Sequence, residues 1–281
     1  MKFMKRMGAL ALGAALAVSL TACGGGGADK SAAEAINAAN EKANAAKSMS
    51  ANMVMEMSMT AADQTIDMNT TMQMDCIMDP MKLRANASIS MGPLGSMDMV
   101  VYAQANGDKY TTYTSDGVNW IVEEMSQEEL GQYDAHASMD MYLENAEDFK
   151  ADGTEELSGG TADRYQGVIR GDALKKVIEN SGSMDSMTAS MGPDAAAMME
   201  TMFKDLGDMP ITIWIDQATG YPARFYMDMS DVMSKMMTNL EKEAGQSLGV
   251  TFNKVVITLD YTGFDSVEDF EIPAEALEAA A

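Results

Sequence analysis

The chain has 281 residues, 47% of them hydrophobic, with 43 Asp and Glu against 19 Lys and Arg and a net charge of −24. That is enough apolar matter for one large domain or two small ones, and it excludes a chain that is disordered throughout. The acidity excludes nucleic acid as a partner, because beyond residue 22 no basic run is longer than Lys175-Lys176 and counterion release from a polyanion needs more.

Lys2, Lys5 and Arg6 precede an apolar run from Met7 to Leu20, and Leu20-Thr21-Ala22-Cys23 follows. The run is short of the roughly 20 residues that span a bilayer, so residues 1–22 read as a cleaved export signal. The segment closely resembles the bacterial lipoprotein signal with its lipobox. That resemblance implies that Cys23 is diacylated on sulfur (the palmitate-type modification) and becomes the new N-terminus, tethered by the glycines of residues 23–30. It places the protein on the extracytoplasmic face of the cell membrane. Without residues 1–22 the chain keeps 16 basic and 43 acidic residues, a net charge of −27, so the lipid and not charge holds it there. With Cys23 a thioether, Cys76 has no disulfide partner and reads as a buried, inert thiol.

From residue 31 the chain reads as a single domain to residue 281. Residues 28–48 form an alanine-rich helix, with Ser31 and Glu34 spaced as a capping box. Residues 50–76 alternate: Met53, Met55, Met57 and Met59 share one parity, as do Ile66, Met68, Met72, Met74 and Cys76, across a turn at 61–64. A period of two is the mark of strands with one buried face, here a hairpin. Met81, Leu83, Ala85, Ala87, Ile89 and Met91 alternate in a third strand, and Met97, Met99, Val101 and Ala103 in a fourth. Residues 110–114 and 118–122 complete a six-stranded meander. Ser126 is expected to cap a short helix, and Met139, Tyr142, Leu143, Ala146 and Phe149 share a helical face over 139–149. Strands follow at 154–157 and 164–170, then a helix capped by Asp172, a Ser-Gly-Met-Asp loop over 181–192, and a helix from Pro193 to about Leu206. Ile211, Ile213 and Ile215 make a strand, and Ala223, Phe225, Met227 and Met229 its return. A helix capped by Asp231 carries Val232, Met233, Met236, Met237 and Leu240, and 250–262 is the last strand.

Trp214-Ile215-Asp216 and Thr219-Gly220-Tyr221-Pro222, followed by an alternating strand, resemble the hairpin of the lipoprotein-carrier superfamily that includes LolA, LolB, LppX and LprG. Phe270-Glu271-Ile272-Pro273 resembles the closing segment of uncharacterised Gram-positive lipoproteins of that type. The resemblance implies an α+β fold: a large antiparallel sheet of about 10–11 strands, curled into a half-barrel around a few helices and enclosing a cavity for acyl chains. On the parities above, that cavity would be lined by Met55, Met57, Met68, Met72, Leu83, Ala85, Ala87, Met99, Val101, Ile213, Phe225 and Met227.

Catalytic chemistry finds little support. His136 is the only histidine, and no nucleophile elbow, P-loop or dinucleotide fingerprint occurs. Asp265, Glu268, Asp269 and Glu271 lack the spacing of an EF-hand. The expectation is a monomeric, non-catalytic binding protein without cofactor or resident metal, holding a lipid or other apolar ligand. Two alternatives stand beside it. Thioethers bind Cu(I), so a copper-binding envelope protein using loop residues Met184, Met187 and Met191 is one. The other is an interaction or structural lipoprotein whose core is filled by its own side chains.

Overall fold

A computed structural model describes residues 30–62, 64–107, 109–126, 142–180 and 201–279. Eleven strands form one antiparallel sheet: β1 (Ser48–Ala61), β2 (Gln64–Met78), β3 (Met81–Ser90), β4 (Ser96–Asn106), β5 (Lys109–Ser115), β6 (Trp120–Ser126), β7 (Ala146–Leu157), β8 (Gly160–Ile169), β9 (Met209–Asp216), β10 (Pro222–Asp228) and β11 (Val250–Phe264). Their spatial order is β6-β5-β4-β3-β2-β1-β11-β10-β9-β8-β7. Two meanders therefore run outward from a central seam between β1 and β11, and the sheet stays open, with β6 and β7 at opposite edges. Four helices with complete bounds are described: α1 (Lys30–Asn44), α2 (Gly171–Asn180), α3 (Ser230–Ala244) and α4 (Ala274–Ala279).

The methionine parity is the inner one. β1 and β2 pair in register from Ser48↔Ile77 to Ala61↔Gln64, so Met53 faces Met72 and Met57 faces Met68. Their hairpin overruns the packed region: Ala51 and Met74 are buried, whereas Met55, Met57 and Met68 are half-buried.

The filled half of the sheet is β7 to β11. Ile211, Ile213, Phe225, Met227 and Leu259 pack with Ile36 and Ala39 of α1, Leu174 of α2 and Val232 of α3 in one buried cluster. The alanines of α1 let that helix lie close against β7, β9 and β10. The Lys42 ammonium at its C-terminal end donates to the Thr219 carbonyl and sits 4.4 Å from the Tyr221 ring centroid. That turn is built by Asp216, whose Oδ1 accepts from both the backbone N–H and the hydroxyl of Thr219 at 2.7 Å, while Gly220 takes φ +71°. These bonds, the Thr219 hydroxyl first, hold the Asp216 carboxyl below the usual carboxylate range. The hairpin motif thus has a mechanical reason: a capped turn that docks the first helix.

Several expectations are corrected. The helix expected over 139–149 gives way to strand from Ala146. A bulge between Glu147 and Lys150, with Asp148 at φ +57°, turns the Phe149 ring inward over Gly167 of β8. Phe149 is a core residue, as its spacing suggested, but it reaches the core through a bulge. The sixth strand begins at Trp120 and runs through Ser126, so Ser126 ends a strand; 127–129, and His136, lie outside the described residues. The expected strand at 154–157 is the end of the longer β7. Asp172 and Asp231, expected as caps, lie within the first turns of α2 and α3; the N-cap residue of α3 is Met229, which makes no side-chain cap bond, and ahead of it the Asp228 Oδ1 accepts from the Ser230 N–H at 3.0 Å. The loop over 181–192 lies outside the described residues, and of the helix expected from Pro193 the described part, 201–202, gives way to a turn at Phe203.

On the outer face the chain folds back on itself. After β11 the C-terminal segment crosses the sheet, with Ile272 and Ala276 packing on Tyr113, Tyr102, Trp120 and Val122. Lys82 binds Asp269 at 2.6 Å, and the Arg84 guanidinium lies 4.8 Å from the Phe270 ring centroid.

A candidate ligand cavity under strands β1 to β6

The half of the sheet from β1 to β6 is covered differently. A cavity of about 350 Å³ lies against its inner face, within the range of small-molecule sites. Its wall follows the strand register in rows. The central row is Met49, Cys76, Leu83, Ala103, Thr112 and Glu123, each the direct partner of the next on strands β1 to β6. Met74, Ala85, Val101 and Thr114 form the neighbouring row on β2 to β5. Met72 and Met99 extend the wall on one side, and Met78, Met81 and Met125 on the other. Period-two alternation puts these side chains on one face, and the antiparallel register aligns them across the strands.

The small residues make the space. Ala85 and Ala103 lie where longer side chains would fill the concavity, between Met74 and Val101 and between Leu83 and Thr112. Cys76 is buried on this wall, its Sγ 3.9 Å from the Met78 Sδ. Polar character is confined to the β5 and β6 end. There the Thr112 hydroxyl donates to the Glu123 carbonyl at 3.2 Å, and the Glu123 side chain is exposed. On the filled side, Tyr142 stacks on Phe225 with centroids 6.4 Å apart, and burial pushes its phenol pKa up.

Of the twelve residues named from the sequence, Met72, Leu83, Ala85, Met99 and Val101 are on this wall. Ala87 sits between Met72 and Met99 in the same row. Ile213, Phe225 and Met227 are in the packed cluster under the other half, and Met55, Met57 and Met68 lie along the overrunning hairpin. The wall residues not named beforehand, Met49, Met78, Met81 and Met125 among them, share the inner parity; Thr112, Thr114 and Glu123 do too, but a polar strand gives no apolar signal. Among the described residues no group of three or more His, Cys, Asp or Glu side chains gathers as a metal site. Loop residues Met184, Met187 and Met191 lie outside the described residues. No described helix is long and apolar enough to cross a membrane.

The model of a family of unknown function, DUF6612, matches residues 31–281. The chain belongs to the DUF6612 family. No curated protein matches this DUF6612 chain. Among solved structures it is similar to the Mycobacterium tuberculosis lipoprotein LppX, at 14% identity over 87% of this chain and 100% of that one, with a TM-score of 0.45. LprF from Mycobacterium bovis is similar at 13% identity over 89% and 99%, with a TM-score of 0.49. A LolA superfamily protein from Nitrosomonas europaea is similar at 10% identity over 85% and 94%, with a TM-score of 0.25.

Proposed function

We propose that the protein is a lipid-anchored envelope protein that holds an apolar ligand, such as an acyl chain, in the cavity under β1 to β6. It acts by burial and performs no chemistry. The observation that carries the reading is the cavity itself: an unfilled space of about 350 Å³ walled mainly by Met, Leu, Val and Ala on one sheet face. Burying a chain there removes apolar surface from water at roughly 25 cal/mol per Å². The flexible thioethers of Met49, Met72, Met74, Met78 and Met81 accommodate chains of different shape without a fixed template. The lipobox at Cys23 supplies the membrane address, with residues 23–30 as tether and 31–281 as the binding domain.

Photoactivatable, clickable lipid probes added to cells making the full chain test this directly. Crosslinked peptides are expected from β2 to β4, containing Met74, Leu83 or Val101. Crosslinking confined to Cys23 and the tether, or none above a cavity-filled variant, overturns the reading.

A further inference from the structure

The cavity has a direction. From Met49 to Glu123 its central row crosses five strand intervals, about 24 Å at the spacing of a sheet, and its polarity changes along the way. The β1 and β2 end is sulfur and hydrocarbon; the β5 and β6 end carries Thr112, Thr114 and, on the edge strand, Glu123. No lysine, arginine or histidine is among the described wall residues.

The donor and acceptor balance at the polar end is one-sided. The Thr112 hydroxyl spends its proton on the Glu123 carbonyl, which leaves its oxygen to accept. Beside it stands a carboxylate, an acceptor only. Glu124, the next residue of β6, has the opposite parity and is paired with Lys109 at 2.9 Å; among the described residues no cation is paired with Glu123. A head group that donates hydrogen bonds and carries positive charge satisfies this end. A phosphate or fatty-acid carboxylate meets like charge there, within the field of a chain whose net charge is −24.

We infer that the ligand is a cationic amphiphile, an apolar chain bearing an ammonium group, bound tail-first toward Met49 with its head against Glu123 and Thr112. This rests on the cavity reading above and adds the chemical class and the orientation.

The test separates the two. Purified full chain is loaded with N-phenyl-1-naphthylamine, an uncharged fluorescent probe that reports the cavity alone, and the probe is displaced by dodecylamine, dodecanol and dodecanoate. The expected order is amine, alcohol, acid, with steps of roughly threefold to fivefold, as one partly exposed charge pair provides. Glu123→Gln should bring amine and alcohol together while retaining the probe, Glu123→Lys should reverse the order, and Glu124→Gln should leave it unchanged. If the probe binds but the acid displaces it as well as the amine, or Glu123→Gln leaves the order intact, the head-group inference is wrong and the cavity reading stands. If the probe does not bind, both fall.

Discussion

Leu83 and Leu259 carry the same side chain on the same face of the sheet, one over the cavity and the other over the filled half. Leu83 is half-buried on the wall between Cys76 and Ala103; Leu259 is buried between Met53 and Phe225. Truncation to alanine removes three carbons, about 2.4 kcal/mol of transfer free energy at about 0.8 kcal/mol each when burial is complete. At Leu259 the removed atoms leave a new hole in a packed cluster, which adds a cavity term and brings the cost to about 3–5 kcal/mol. At Leu83 the space already exists and the side chain is only partly withdrawn from water, so the loss stays below the transfer value, at about 1 kcal/mol. Urea denaturation of the ligand-free protein, with equal slopes, reads the difference as a shift in midpoint. Equal costs within about 0.5 kcal/mol would show that other side chains fill the space beside Leu83, and the hollow half of the sheet would not exist.

Gly167→Val should destabilise the protein by about 1–3 kcal/mol, because a Cβ there overlaps the Phe149 ring, and Phe149→Leu in the same chain should recover part of the loss in thermal melts. On the outer face, burial pushes the Asp75 carboxyl up, but bonds from Ser50 at 2.6 Å and Arg84 at 2.5 Å outweigh it and hold the pKa below its ordinary value. A depressed carboxylate stabilises above its unfolded pKa of about 3.9 and loses that contribution as pH falls through the folded value. Unfolding free energy should therefore be level above about pH 5 and drop below about pH 4, with a shallower drop in Asp75→Asn. Cys23→Ser should abolish palmitate labelling and leave the precursor unprocessed; unchanged labelling of that variant would remove the lipid anchor from the account.

Much of the sheet is legible from the sequence because alternation is a local property: each of the first four strands declares its own buried face, and Asn106-Gly107 marks a turn without help from the rest of the chain. β7 is hidden for the converse reason. Its bulge at Asp148 breaks the period of two, and Tyr142 and Leu143, which are helical, share a helical spacing with Ala146 and Phe149, so the pattern runs on past the end of the helix. Which half of the sheet is hollow is not legible either. Phe225 and Met227 alternate as cleanly as Met72 and Met74; all four join one packed cluster, and it is the tertiary placement of α1, α2 and α3, which no strand encodes, that leaves the second pair also bordering open space. Glu123 and Thr112 belong to the wall by register alone, which no single strand reveals.

The seam between β1 and β11 joins Met49 to Phe264 and Ala61 to Val250, partners about two hundred residues apart in the chain. The N-terminal meander can zip hairpin by hairpin as it is made, but its first strand keeps one bare edge until nearly the whole polypeptide has been delivered. Contacts of such range are slow to form, since the loop they close must be ordered before they repay its entropy. Completion of the sheet is thus postponed to the end of synthesis, and until then the half that holds the cavity has no neighbour on its inner flank. A chain truncated anywhere before β11 leaves that long, methionine-rich edge unpaired, an invitation to pair with another copy.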